Sequence, residues 1–228
     1  MTGGSRVSCA AAALALIMLT SGPALGGWWP LGHRSERGSG RVVEEERRVD
    51  DFTRIKSSGS CDLLVTVGSG KKVTVAFDDN LIDYIITEVH GRTLEVYSEG
   101  SYSSHRGCLV EITVPILESV KVSGSGDVTI EHLEGGDFSY SVSGSGDLRA
   151  EGEVDEVEIN VSGSGDVDAR DLIAKVACVT IRGSGDVHVY AGESLDARVY
   201  GSGDIYYYGN PDPAHTKVYG SGDIRHKR

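Results

Sequence analysis

A four-residue word, Gly-Ser-Gly-Asp, constrains this chain more than any other feature of the sequence. It occurs six times, at 124–127, 144–147, 163–166, 183–186, 201–204 and 220–223. Successive copies begin 20, 19, 20, 18 and 19 residues apart. Repetition at a nearly constant period is typical of stacked structural repeats. A variant copy, Gly59-Ser60-Cys61-Asp62, lies upstream and carries Cys in place of the second Gly.

The residues on both sides of each word alternate between aliphatic and polar. The aliphatic positions are Val122, Val142, Val161, Ile181, Val199 and Val218 before the words and Val128, Leu148, Val167, Val187, Ile205 and Ile224 after them. This alternation predicts a strand on each side of a glycine corner. A coil of about 19 residues is too short for a strand–helix–strand unit, which needs about 30. We therefore predict an all-β fold, a parallel β-helix or β-solenoid, with regular repeats over 119–228 and an irregular β cap over 51–118.

The last residue of each word is predicted to have a structural role at the corner. These residues are Asp127, Asp147, Asp166, Asp186, Asp204 and Asp223. Glycine permits a tight bend, and an Asp side chain can accept hydrogen bonds from nearby backbone N–H groups. The alternative is a calcium ladder, since Gly- and Asp-rich repeats bind calcium in other solenoids and stacked carboxylates repel one another. One Asp per coil, without a second oxygen ligand beside it, favours the corner role.

The first 50 residues are predicted to contain a signal peptide and a linker. Residues 1–26 combine the cationic Arg6, an apolar run at 9–19 and small residues that suit cleavage before Gly27. We expect export through this cleaved signal peptide, to the periplasm, the cell surface or the medium. The charged segment 27–50 lacks sustained periodicity and is interpreted as a flexible linker, so the folded domain is expected over 51–228.

Export permits disulfide bonds. Three cysteines remain after cleavage, Cys61, Cys108 and Cys178, and an odd number leaves at least one outside any intramolecular pair. Cys61 and Cys108 both lie in the N-terminal part and are the candidate pair. Cys178 precedes a strand and is expected to be a small buried residue.

The sequence offers no convincing active site. The seven histidines are dispersed, and the net charge of −12 argues against nucleic-acid binding. No Cys-x-x-Cys or His-x-x-x-His spacing suggests a bound metal. Glu151 and Asp168 are the one carboxylate pair that suggests polysaccharide chemistry. Acidic residues on the exterior of an acidic protein are usually only solvated, so we predict a protein that is not an enzyme and needs no cofactor.

The best candidate binding surface is aromatic. By the alternation, five tyrosines point outward from neighbouring coils: Tyr190, Tyr200, Tyr206, Tyr208 and Tyr219. They are predicted to form a flat stacking platform for sugar rings or for a protein partner. The alternative is a tyrosine ladder that stabilises adjacent strands. The basic segment 225–228 either protects the last sheet edge or lets this end of the stack self-associate.

Several stretches together resemble a known family. They are Phe52-Thr53-Arg54-Ile55, Asp78-Asp79-Asn80-Leu81, Thr93-Leu94-Glu95-Val96, Ile112-Thr113-Val114-Pro115 and the repeated Val-Ser-Gly-Ser-Gly-Asp. In their order and in their residues, these motifs resemble the head GIN domain family of putative auto-transporter adhesins, from about Asp51 to the C-terminus. The resemblance implies a bacterial exported protein with a right-handed β-helix-like fold. It implies no established biochemical activity and no catalytic or binding residues.

These observations favour an exported, non-enzymatic module that contacts a partner at the cell surface or in the envelope. The partner is expected to be a cell-surface glycan, a cell-wall component or another protein. Two alternatives stay open: a purely structural scaffold without a dedicated ligand, and a β-helix enzyme that acts on polysaccharides.

Overall fold

The computed structural model describes residues 35–228, and this part of the chain is all β apart from one 3-10 turn at Ile82–Tyr84. The strands are β1 Glu36–Arg37, β2 Val42–Glu46, β3 Arg54–Gly59, β4 Asp62–Val67, β5 Lys72–Asp78, β6 Ile85–His90, β7 Thr93–Ser98, β8 Tyr102–Ser103, β9 Leu109–Val114, β10 Ser119–Gly124, β11 Val128–Val142, β12 Leu148–Val161, β13 Val167–Ile181, β14 Val187–Tyr190, β15 Ser194–Val199, β16 Ile205–Tyr208, β17 Ala214–Val218 and β18 Ile224–His226. Most of them belong to one large, mostly parallel sheet system. The predicted all-β class is confirmed.

Each glycine corner and its two flanking strand segments lie directly beside the next corner and its flanking segments. Such a unit is termed a rung, and the rungs are 54–67, 119–131, 139–150, 158–169, 178–189, 196–207 and 215–226. Adjacent rungs pair in parallel, and the aliphatic positions stay in register. Before the corner, Val161 pairs with Ile181 and Ile181 with Val199. After the corner, Val187 pairs with Ile205. The spacing of the sequence repeat is therefore the spacing of strand pairing.

The alternation decides which side chains are buried. Val161, Ile181, Val187, Val199 and Ile205 are all buried from solvent, each stacked on its counterpart in the neighbouring rung. Full burial of one such side chain contributes about 1.5–3 kcal/mol. The polar residues between them face outward, so the outer surface of each rung is free to vary without changing the core.

The corners need glycine because the rungs approach each other closely there. A Cβ atom on Gly144 would lie 1.9 Å from the carbonyl oxygen of Gly124, and one on Gly165 would lie 2.1 Å from that of Gly146. These contacts are with backbone atoms, which cannot relieve the overlap by a change of rotamer. Glycine stacked on glycine is therefore a requirement of the rung spacing.

The variant corner in the first rung carries a disulfide instead. Cys61 occupies the position of the second glycine, and its side chain is bonded to Cys108 with the Cα atoms 4.6 Å apart. The register places Asp62 beside Leu109, so the disulfide joins two neighbouring strand segments. Cys178 is buried, as expected.

The N-terminal end of the stack is closed by antiparallel strands. Strands β7 and β9 follow the first rung in sequence but lie beneath it, paired with β3 and β4. Strand β6 then covers the edge of β7, and β5 covers the edge of β9. Antiparallel pairing thus lies in the irregular N-terminal part, whereas the rungs pair in parallel.

The prediction of a flexible linker at 27–50 is wrong for the part that the structure describes. Strand β2 pairs antiparallel with β5, and β1 pairs with β8. The segment between β1 and β2 is held by Asp78, whose carboxylate accepts a hydrogen bond from the Gly40 N–H at 2.9 Å. Val43 packs against the core. The signal peptide predicted at 1–26 lies outside the described residues.

At the other end, β17 and β18 each have one neighbouring strand within residues 35–228, namely β15 and β16. Tyr219 is 62% exposed and Val218 is 45% exposed at this edge. No helix in the described part of the chain is long and apolar enough to cross a membrane.

Candidate ligand-binding surface

The corner aspartates form a continuous hydrogen-bonded ladder. The Oδ1 atom of each one accepts a hydrogen bond from the backbone N–H of the Asp in the next rung, at 2.7–2.9 Å. The ladder runs through Asp62, Asp127, Asp147, Asp166, Asp186, Asp204 and Asp223. These bonds satisfy backbone donors where the chain turns and cannot continue the regular strand pairing.

This ladder favours the corner role of the aspartates over the calcium alternative. The N–H of Asp223 lowers the pKa of the Asp204 carboxyl and keeps that group ionised, with no cation needed to do so. Within residues 35–228 no group of three or more His, Cys, Asp or Glu side chains is placed to hold a metal ion.

The candidate carboxylate pair does not come together. The strand register places Glu151 beside Asp171, whereas Asp168 lies beside Arg149. Asp168 instead accepts a hydrogen bond from the Nε–H of Arg170 at 2.7 Å. Burial opposes ionisation of Asp168, but the hydrogen bonds from Arg170 outweigh it and lower the pKa of the carboxyl. Asp168 is thus engaged and ionised, which does not suit a general acid.

The five predicted tyrosines do not lie side by side as one flat platform. Tyr200 stacks between neighbours from the rungs on either side. The Tyr219 ring lies parallel to it with centroids 4.9 Å apart, and the Arg182 guanidinium lies 5.7 Å from its centroid. Tyr206 is likewise flanked by the His188 ring at 4.8 Å and by the Lys227 ammonium at 4.9 Å.

The stacking covers both faces of Tyr200 and Tyr206, so neither ring offers a face to a sugar. Tyr200 precedes its glycine corner and Tyr206 follows the same corner, so the two stacks leave the corner in different directions. For these two residues the structure favours the alternative, a ladder of rings that stabilises adjacent rungs.

Of the remaining three tyrosines, Tyr219 stacks on Tyr200, and Tyr190 and Tyr208 line a groove. They are paired in register, and each is the fourth residue after its corner Asp. The same position is occupied by Arg170 two rungs before Tyr208 and by Lys227 one rung after it. The groove has a volume of about 700 Å³, within the range of small-ligand sites. The side chains of Arg170, Tyr190, Tyr208, His226, Lys227 and Arg228 line it together with those of Asp171 and Ile173, and this surface is termed the tyrosine–cation groove.

Several contacts fix the walls of this groove. The Tyr208 hydroxyl lies 3.1 Å from His188 Nδ1, and burial together with the Arg170 cation lowers the pKa of His188, so this imidazole is neutral at pH 7. The His226 Nε2–H donates to the carbonyl oxygen of Gly209 at 2.8 Å, and its ring stacks on Tyr207. The aromatic walls are therefore held by the adjoining rungs before any ligand arrives.

The cations of the groove differ in their pairing. Arg170 is bound to Asp168. In the described part of the chain, no carboxylate forms an ion pair with Lys227 or Arg228. Two cations without a carboxylate partner thus lie beside two tyrosines, on a protein whose net charge is −12.

Sequence reasoning identified Tyr190 and Tyr208 but missed the cations beside them. A comparison of the fourth residue after the corner Asp, from one repeat to the next, would have identified these cations. That column gives Glu131, Glu151, Arg170, Tyr190, Tyr208 and Lys227 in repeat order, with the cations and tyrosines in the last four repeats.

The all-β fold and the open groove are typical of a class of repeat proteins, and they do not specify one activity. The family model described as putative auto-transporter adhesin, head GIN domain, matches residues 51–211, and the chain belongs to this family. None of the curated proteins compared with the chain matches it.

Three solved structures illustrate the similarity of fold. A putative adhesin from Bacteroides fragilis is 24% identical, with a TM-score of 0.69, over 84% of this chain and 99% of that one. A putative lipid binding protein from Parabacteroides distasonis is 27% identical, with a TM-score of 0.53, over 86% and 100%. A putative adhesin from Parabacteroides merdae is 20% identical, with a TM-score of 0.51, over 84% and 98%. The two adhesins, at under 25% identity, support the fold alone.

Proposed function

We propose that this protein is an exported, right-handed β-solenoid that acts as a non-enzymatic interaction module at the cell surface or in the envelope. The tyrosine–cation groove is its contact surface. The observation that carries the proposal is the groove itself, in which two tyrosine side chains and two cations without carboxylate partners within residues 35–228 converge on an open surface. The adhesin description of the family points in the same direction.

The strand pairing supports the solenoid. Neighbouring rungs are parallel, in register, and 18–20 residues apart along most of the stack. Parallel crossover connections are right-handed in nearly all proteins, which favours the right-handed form. Export is supported by the signal-like segment 1–26 and by the disulfide between Cys61 and Cys108, since such bonds persist in oxidising compartments.

The properties of the surface support binding rather than catalysis. The ladder carboxylates accept backbone hydrogen bonds, and Asp168 is paired with Arg170. The relative described as a putative lipid binding protein raises the question of a lipid ligand here. The interior of the rungs is filled with buried aliphatic side chains and leaves no room for an acyl chain there, and the groove places charged side chains beside tyrosine rings, so an extended polar ligand suits this surface better.

A glycan array probed with the mature protein tests the proposal. We expect binding that weakens at least about tenfold when Tyr190 and Tyr208 are both replaced by Ala, because both rings are removed from the groove wall. Tyr219→Ala is the matched control, since this ring lies at the same end of the stack but outside the groove.

If the double variant binds as well as the parent protein, the groove is not the contact surface. If the mature protein binds neither the array nor purified cell wall, the scaffold alternative replaces the proposal. Release of reducing sugars from a polysaccharide would instead support the enzymatic alternative.

A further inference from the structure

We infer that the ligand of the tyrosine–cation groove is an acidic oligosaccharide, one that carries carboxylate groups on its sugar rings. This inference rests on the proposed function and names the chemical class of its ligand. It follows from the order of side chains along the groove, from their pairing, and from the short range of electrostatic forces in salt solution.

The order of side chains suits a ligand that is long and repetitive. Along the groove, the column at the fourth position after the corner Asp reads Arg170, Tyr190, Tyr208 and Lys227 in four successive repeats, whereas the two preceding repeats, outside the groove, carry Glu131 and Glu151 there. Successive strands lie about 4.8 Å apart, so this column extends over about 14 Å. Two tyrosine rings with Lys227 and Arg228 at one end match a chain of sugar rings with acidic substituents, because rings pack on tyrosine and carboxylates pair with cations. Arg170, at the other end, is already bound to Asp168.

The pairing of charges indicates which cations are available to a ligand. Several cations on the neighbouring outer surface already have partners within the chain: Arg149 with Asp171, Lys175 with Asp155 and Arg198 with Asp196. Within residues 35–228, Lys227 and Arg228 have no such partner. A neutral sugar would leave both cations without a counter-charge, whereas a uronate supplies one.

The net charge of −12 does not prevent an acidic ligand from binding here. The screening length is about 8 Å at physiological ionic strength, so carboxylates elsewhere on the surface act weakly at the groove. Among the charges that line the groove, Asp171 is ion-paired with Arg149 and Arg170 with Asp168, so Lys227 and Arg228 decide the sign of the local potential.

Titration calorimetry on the mature protein distinguishes an acidic from a neutral ligand. The probes are a tetramer of galacturonic acid and a tetramer of galactose, which share a sugar framework and differ in their carboxylates. We expect the uronate to bind at least about tenfold more tightly and to lose affinity as salt is raised from 50 to about 300 mM. The double variant Lys227→Glu, Arg228→Glu should weaken uronate binding at least about tenfold, since two attractions become repulsions.

The matched control is Lys121→Glu with Lys217→Glu, which makes the same change of charge outside the groove. This variant should bind the uronate within about twofold of the parent protein. Circular dichroism establishes that both double variants are folded.

Each of the other outcomes refutes a defined part of the reasoning. Equal affinity for the two tetramers, or binding of the neutral one alone, overturns the acidic ligand but leaves the interaction module intact. Uronate binding that the groove and control variants weaken equally overturns the assignment to this groove. If neither tetramer binds while the array shows another ligand, the acidic class is wrong. If the glycan array and the cell-wall assay also show no binding, the proposed function is wrong as well.

Discussion

Replacing Gly165 with Ala tests the physical basis of the stack. This glycine lies in an interior corner, with rungs on both sides. A Cβ atom there would lie 2.1 Å from the carbonyl oxygen of Gly146, far inside any normal contact distance. The backbone at Gly165 is not in the left-handed region, so the effect of the substitution comes from the close approach alone.

The expected loss of stability is about 2–5 kcal/mol. Relieving the overlap requires the two corners to move apart, and overpacking of this kind costs about 1–3 kcal/mol. The movement also weakens two hydrogen bonds that cross the same gap, from Ser164 N–H to the Gly144 carbonyl at 2.9 Å and from Asp166 N–H to Asp147 Oδ1 at 2.8 Å. Each contributes about 1 kcal/mol net. The lower chain entropy of Ala in the unfolded state offsets about 0.4–1 kcal/mol of the total.

Urea unfolding of the oxidised protein, followed by circular dichroism, measures this difference. Gly136→Ala is the matched control, because the nearest atom to its added Cβ is 4.0 Å away. The control should be neutral or slightly stabilising. If Gly165→Ala loses less than about 1 kcal/mol, or no more than the control, then close glycine contacts are not what sets the rung spacing.

Four further predictions follow from the same contacts. Asp166→Ala should destabilise the protein by about 1–3 kcal/mol in urea, because a backbone donor at the next corner loses its acceptor, whereas Asp166→Asn, which keeps a side-chain oxygen, should lose less than half as much. Reduction of the disulfide between Cys61 and Cys108, 47 residues apart, should lower the free energy of unfolding by about 4 kcal/mol through chain entropy; an unchanged urea midpoint after reduction would contradict this. Burial lowers the pKa of His188 below its usual 6.5, so the unfolded chain binds a proton that the folded chain does not, and stability should fall as the pH drops below about 6.5. The loss of stability between pH 7.5 and 5.5 should be smaller in His188→Gln, and an identical loss would refute this origin. Light scattering should detect concentration-dependent self-association that Val218→Asp reduces, because the charge is added to an exposed apolar edge; a monomer at every concentration would exclude self-association.

The repeat part of the fold was predictable because one pattern determines several levels of structure. The same period that separates the words fixes the strand register, and alternation around each word separates buried from exposed side chains. Val161 and Val199, chosen from the pattern alone, are buried and lie in one column. The close approach at the corners also explains why glycine recurs at one place in every rung.

The N-terminal part was less predictable because it is held by long-range pairing. Strand β2 has the sequence Val-Val-Glu-Glu-Glu, which has no alternation, and it is fixed by backbone pairing with β5. The position of β7 and β9 beneath a rung that precedes them in sequence has no local signal either.

The candidate surface was predicted only in part, since sequence alternation says which residues face outward but not how their side chains orient. Five outward tyrosines suggested a platform. Ring stacking between rungs removes Tyr200 and Tyr206 from it, and the groove gains Lys227 and Arg228 from the segment that was interpreted as edge protection or as a site of self-association.

Because the interior corners are alike, the stack can become longer or shorter by whole rungs. Interior rungs from 119 onward offer their neighbours the same glycine surface and the same carboxylate acceptor, so one whole rung can be gained or lost by duplication or deletion without redesigning either interface. Each such event would shift the groove by about 4.8 Å from the antiparallel strands at the opposite end. Evolution can therefore change the distance between the groove and the antiparallel strands in fixed steps, while the groove and these strands keep their own sequences.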